Sequence, residues 1–189
     1  MIVKRPIAPE KVFEHAQCFY RTWVAVSGAV PGSPSQRESE RVHAALTLAE
    51  PIIVLGALTT ELFLKCLICV ESGDAPQWHN LKALFGKVSA PTRARIEGLW
   101  NSEVVVRRYG TWDAWEKLGL KVGRDLATAL AEGATAFERY RYSYEDNTEV
   151  VHFYLEDLSA ILERVILEMR PEFDAWRRAP LVLQMASHH

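Results

Sequence analysis

The longest apolar run in the chain extends from Ile52 to Val70 and contains only two charged residues, Glu61 and Lys65. As a helix it would be about 28 Å long, almost enough to cross a bilayer. Each charge at the centre of a bilayer costs about 2.5 to 3.5 kcal/mol, which favours a buried helix of a soluble domain. Glu61 precedes Lys65 by four residues, the favoured order for an ion pair on a helix. The pattern therefore predicts a central buried helix that carries one ion pair.

Apolar residues at helical spacing predict two helices before this run. The first begins at Pro9 and ends at Gly28, and the second opens at Pro34 and runs to Glu50. Pro51 lacks a backbone N–H and disfavours helix in the residue before it. We therefore expect a break or a kink at Pro51.

The same spacing predicts helices over most of the remaining chain. Glycines and tryptophans between Gly110 and Gly123 indicate a loop region instead. The predicted helices start near Leu81, after Pro91 and near Leu126, and the last one spans Thr148 to Met169 before Pro171.

Strand patterns are nearly absent, so the sequence predicts an all-α fold, an antiparallel helical bundle in which residues 1–189 form a single domain. Large aromatic residues fall in segments that we expect near the surface, and a two-fold homodimer would cover them. They are Trp100, Trp112, Trp115 and Trp176.

The net charge of -2 gives no general attraction to nucleic acid or to anionic membranes, so any such contact must be local. The three cysteines, Cys18, Cys66 and Cys69, lie in apolar helical patterns, which favours reduced core thiols and a cytoplasmic protein. Cys66 and Cys69 form a CxxC without the further ligands that a metal site requires. No cofactor motif and no metal site is predicted, and no membrane association.

Arginines and tyrosines alternate between Glu138 and Asp146, in the most unusual segment of the chain. Arg139 and Arg141 could bind phosphates while Tyr142 stacks on a base, and His152 lies near the start of the last helix, where an imidazole can exchange protons. In the alternative interpretation these arginines pair with nearby acidic residues and the tyrosines cover the core.

Several of these segments together resemble the HEPN superfamily (higher eukaryotes and prokaryotes nucleotide-binding), over roughly Ala44 to Glu168. The resemblance implies an all-α bundle, commonly a homodimer, found in toxin-antitoxin and other defence systems, with many members acting as metal-independent ribonucleases. It rests on ELFLKCLI from Glu61 to Ile68, the turn at Gly73, His79-Asn80-Leu81, Leu84-Phe85, the RYRYSYE run and the long final helix.

The ribonuclease signature of the family is an arginine followed, after four to six residues, by a histidine near the start of the last helix. Arg141 and His152 are separated by ten residues, so the signature is not matched. Arg37 and His43 have a suitable spacing but precede the central helix, and we interpret them as part of a solvated helix face. His79 is expected to form a structural capping hydrogen bond.

The leading hypothesis is therefore a dimeric helical domain that binds a nucleotide, RNA or a protein partner through Arg139, Arg141, Tyr142 and His152. One alternative is a metal-independent ribonuclease in which Arg141 and His152 are catalytic. Another is a purely structural interaction module.

Overall fold

The computed structural model describes residues 7–28, 38–119, 123–134 and 155–178, except for the side chains at 38–47, 156 and 178. Within these ranges the chain forms helices and no strands, which confirms the predicted all-α class. The α-helices are α1 Pro9–Gly28, α2 Glu38–Ser72, α3 Leu81–Lys87, α4 Ala90–Leu99, α5 Val106–Lys117, α6 Leu126–Glu132, α7 Leu158–Met169 and α8 Asp174–Arg178. A π-helical segment at Trp100–Val105 joins α4 to α5, and short 3-10 helices occupy Leu155–Asp157 and Pro171–Phe173.

The second half of α2 forms the centre of the core, as predicted. Phe63, Leu64 and Leu67 are fully buried. Helix α1 packs antiparallel to α2, with the ring centroid of Phe13 6.0 Å from that of Phe63. Helix α7 also packs against α2, so the second half of the central helix is enclosed.

The segment Leu48–Ser72 has the length and composition of a helix that could cross a membrane, and 61% of its most apolar window is buried inside the fold. The unburied part lies at the N-terminal end of this segment. Ile52, Ile53, Val54 and Leu55 are only partly buried.

The predicted break at Pro51 is wrong, because α2 continues through this residue as a single helix of 35 residues. A proline inside a helix removes one backbone hydrogen bond and crowds the preceding turn, at a cost of about 3 kcal/mol. Helix α2 packs along α1, and we attribute the continuous helix to this packing.

The predicted loop between Gly110 and Gly123 is also wrong in its first part, since α5 continues through Gly110 to Lys117. Tertiary packing explains the difference. Trp100 and Trp112, expected near the surface, are buried, and their rings pack 6.4 Å apart. The indole N–H of Trp100 donates to the carbonyl of Arg124 at 2.9 Å. These two tryptophans therefore stabilise the core of one chain and give no argument for a dimer.

The cysteines divide into two groups. Cys66 and Cys69 are buried free thiols, as predicted, and burial raises the pKa of the Cys66 thiol to about 12. Their sulfurs lie 3.6 Å and 3.4 Å from the carbonyl oxygens of Pro9 and Ile7. Cys18 is exposed on α1, so the prediction that all three are core thiols is wrong for this residue.

The last long helix begins later than predicted within the described residues, because Leu155–Asp157 is a 3-10 helix and the α-helix starts at Leu158. Residues 148–154 lie outside the described part of the chain. After Pro171 the chain turns into α8, where Trp176 packs against the core.

Candidate functional site

The predicted binding residues Arg139, Arg141, Tyr142 and His152 lie outside the residues that the structure describes. Arg37 and the side chain of His43 also lie outside them. The structure does place the residues on either side of the segment 135–154. These flanking residues are Ala134 before the segment and Leu155 after it.

Both flanks of the segment lie close together, next to the first residue of α3. The backbone N–H of Leu81 donates to the carbonyl of Ala134 at 3.3 Å. A Cβ atom added to Gly133 would lie 2.8 Å from the Cδ1 atom of Leu155, which is fully buried. The residues that flank the Arg/Tyr segment therefore lie beside the start of α3.

A buried carboxylate contacts His79, which lies two residues before Leu81 in the chain. The side chain of Glu61 is only 3% exposed, and its Oε1 atom is 2.8 Å from Lys65 Nζ and 3.0 Å from His79 Nδ1. The predicted pair of Glu61 with Lys65 is confirmed. The contact with His79 connects the middle of α2 to the loop before α3.

The predicted capping role of His79 is wrong. Helix α3 is capped by Asn80, whose side-chain oxygen accepts a hydrogen bond from the backbone N–H of Ala83 at 2.9 Å. An asparagine at this position offers a short acceptor to the first turn, which a bulky imidazole does less well. His79 is instead directed to Glu61, with about half of its side chain exposed.

The Oε2 atom of Glu61 is buried and has no hydrogen-bond partner among the described residues. A buried carboxylate is costly unless its oxygens are paired, so this position carries an energetic cost that an apolar side chain would avoid. A buried polar atom without a partner is uncommon in a folded protein, which makes Glu61 a candidate functional residue.

The start of α7 contacts α2 at Thr60, the residue before Glu61. The hydroxyl groups of Thr60 and Ser159 lie 3.1 Å apart, and both residues are buried.

We call Glu61, Lys65 and His79, together with Leu81, Ala134 and Leu155, the α3 junction.

Two arginines that the sequence did not single out lie at the beginning of α7. Arg107 Nη2 is 2.6 Å from Asp157 Oδ1, and Arg108 Nε is 2.9 Å from Asp157 Oδ2. Both arginines belong to α5, in a stretch whose valines and tyrosine look β-prone, so their position could not be read from the local pattern. They connect α5 to Asp157, immediately before α7.

A groove of about 720 Å³ lies between α1, α2 and residues 75–77. Most of its lining is apolar. Lys65 lines the groove and also belongs to the α3 junction, through its contact with Glu61. Lys11, His15 and Cys18 line its α1 side.

The α3 junction contains the ammonium group of Lys65 and the imidazole of His79, both in contact with the carboxylate of Glu61. Such groups can bind phosphate oxygens or exchange a proton, and an imidazole bonded to a carboxylate has a fixed orientation. Among the described residues no group of three or more potential ligands could hold a metal ion. No protein-family model, curated protein or solved structure matches the chain, and its function is therefore inferred from its own residues.

Proposed function

We propose that this chain is a HEPN-like helical domain that binds RNA or a nucleotide beside the α3 junction. One observation carries the proposal: Gly133 and Leu155, at the flanks of the Arg/Tyr segment, lie close together, and Ala134 is hydrogen-bonded to Leu81, two residues after the His79 that contacts buried Glu61.

Covalent geometry limits how far the binding residues can be from this place. A residue spans at most about 3.6 Å, so the Cα atom of Arg139 lies within about 18 Å of that of Ala134. By the same limit His152 lies within about 11 Å of Leu155. Arginine forks match phosphate geometry and tyrosine rings stack on bases, so this segment supplies the contacts that an RNA strand requires.

A fluorescence-anisotropy titration with a labelled single-stranded RNA and a labelled nucleotide, at low salt, tests the proposal. Arg139→Ala/Arg141→Ala is expected to weaken binding at least about tenfold, equivalent to about 1.4 kcal/mol, because two phosphate contacts are lost. The matched control is Arg95→Ala/Arg177→Ala, which removes the same charge from exposed pairs with Glu168 and Asp174.

An equal loss in both double variants would show that only the overall charge matters and would contradict a local site. Absence of wild-type binding at tens of micromolar would eliminate the nucleic-acid proposal and leave the protein-partner hypothesis.

The same samples test the ribonuclease alternative that the HEPN resemblance implies. In that reaction His152 would accept the proton of the 2′-hydroxyl group as its oxygen attacks the phosphorus, and Arg141 would stabilise the phosphate. The bond from phosphorus to the 5′-oxygen would break, and this oxygen would take up a proton from water. Anisotropy would then fall with time in the presence of EDTA, and His152→Ala would stop the fall. A constant signal with wild type contradicts this alternative.

We also propose that the chain forms a homodimer through the first part of α2. The supporting observation is the partly buried apolar surface of Ile52, Ile53, Val54 and Leu55. Light scattering at micromolar concentration should give twice the mass of one 21.4 kDa chain. Ile53→Glu is expected to give the monomer mass, whereas Leu118→Glu, at a 77% exposed position, should not change the mass. A wild-type mass near 21.4 kDa would contradict the dimer.

A further inference from the structure

The groove beside α1 and α2 has two helical walls. Lys11, His15 and Cys18 lie on one face of α1, because they are spaced by four and by three residues. Leu62 and Lys65, three residues apart, line the α2 side. The volume of about 720 Å³ falls in the range of small-molecule sites. The groove therefore has room for a ligand of that size.

Two lysines face this groove from opposite walls. Two contacts between the antiparallel helices fix their register: Pro9 with Cys66 and Phe13 with Phe63. Lys11 lies between the two α1 residues in the sequence, and Lys65 lies between the two α2 residues. The two lysines are therefore at the same level of the groove, one on each side.

Both ammonium groups are able to donate hydrogen bonds to an anion in the groove. Lys65 Nζ is 2.8 Å from Glu61 Oε1, but an ammonium carries three N–H donors and this contact uses one. The pair of Lys11 with Glu14 is exposed, and exposed ion pairs are weak, so Lys11 can turn towards a ligand at little cost. A carboxylate between the two lysines would accept hydrogen bonds from both walls.

The rest of the lining favours an aliphatic chain. Its apolar residues are Ile7, Val12, Leu62, Ala75 and Pro76. The methylene stems of the two lysines add further apolar surface. Among the described residues no phenylalanine, tyrosine or tryptophan lines the groove, so a nucleic-acid base would have no such ring to stack on. An acyl chain gains from burial against aliphatic side chains without needing a stacking partner.

We propose that the groove binds a free fatty acid, with its carboxylate between Lys11 and Lys65 and its acyl chain along the apolar lining. Charge complementarity supports an anionic head group. Among the described residues two lysines and one glutamate, Glu14, line the groove, whereas the carboxylate of Glu61 is buried behind Lys65. This site does not depend on RNA binding and goes beyond the function proposed above.

Cys18 provides a reporter at the groove. Its thiol is exposed, whereas Cys66 and Cys69 are buried, so iodoacetamide should alkylate Cys18 first in the folded protein. Mass spectrometry of the peptides gives the rate for each cysteine. Dodecanoate, at concentrations where it remains monomeric, is expected to slow alkylation of Cys18 at least about threefold, with half of the effect at about 100 µM or below.

Lys11→Met tests the contact with the carboxylate, because it removes the charge and keeps an apolar stem. It should raise the dodecanoate concentration for half protection about tenfold. Lys117→Met is the matched control, since Lys117 is 76% exposed and pairs with Asp113 as Lys11, 68% exposed, pairs with Glu14. The control should stay within about a factor of two of wild type. Each variant is compared with itself without ligand, and an equal loss in both would overturn the site.

Ligands with other head groups complete the test. Dodecanol and dodecyltrimethylammonium should protect Cys18 at least about tenfold more weakly than dodecanoate does. Equal protection by dodecanol would overturn recognition of the carboxylate. Protection by phosphatidylglycerol vesicles without protection by dodecanoate would show a membrane surface instead of a fatty-acid site. Unchanged alkylation of Cys18 with up to about 1 mM dodecanoate would overturn the proposal.

Discussion

Replacing Leu64 with aspartate is expected to abolish folding of the domain. Leu64 is fully buried in the middle of α2, among Phe63 and Leu67. An aspartate there would have to bury its carboxylate without a partner, which costs several kcal/mol even when the group becomes protonated. A typical domain is stable by only about 5 to 15 kcal/mol in total, so a single substitution of this kind removes most of the margin.

Circular dichroism and a thermal melt measure this effect. Leu64→Asp should show little helix or no cooperative transition at 25 °C. Leu118→Asp is the matched control, because Leu118 is 77% exposed and the same substitution there should leave the melting curve almost unchanged. A soluble Leu64→Asp protein with a cooperative melt near that of wild type would contradict the assigned core.

The second large effect is expected for Glu61→Ala. Removing the carboxylate leaves the ammonium of Lys65 without this partner, on a side chain that is only 13% exposed, and also removes the contact with His79. Breaking a buried ion pair by deleting one partner typically costs about 3 to 5 kcal/mol. Urea unfolding monitored by circular dichroism gives the change in the free energy of unfolding.

Two further variants show whether the buried charge is the cause. Glu168→Ala breaks an exposed pair with Arg95 and is expected to cost no more than about 1 kcal/mol. Glu61→Leu/Lys65→Met removes both charges and should recover most of the stability lost in Glu61→Ala. If Glu61→Ala lowers the free energy of unfolding no more than Glu168→Ala does, the contacts of Glu61 with Lys65 and His79 do not hold α2 and the loop before α3 together.

The boundaries of α1 could be predicted from the sequence because local signals determine them, a proline at the start and a glycine at the end. Pro51 and Gly110 are also local signals, and there the prediction failed. Both lie inside helices in the structure, since packing against other helices outweighs a single unfavourable residue.

Part of the candidate site was also predictable. The pair of Glu61 and Lys65 follows from their spacing on one helix. The contact of Glu61 with His79 depends on how the turn after α2 brings α3 back against it, and no periodic pattern records that path. The contact of Gly133 with Leu155 could not be predicted for the same reason. The length of the segment between two residues does not tell which residues at its ends pack together.

Hydrogen–deuterium exchange with and without a saturating single-stranded RNA tests most directly whether the ligand binds beside the α3 junction. RNA should slow exchange in two regions that are separate in the sequence, residues 77–83 and residues 135–157, because both border the proposed site. Exchange in α1 and α5 should stay unchanged. Protection confined to the α1 side of the groove, or to one of the two regions alone, would contradict a binding site at the α3 junction.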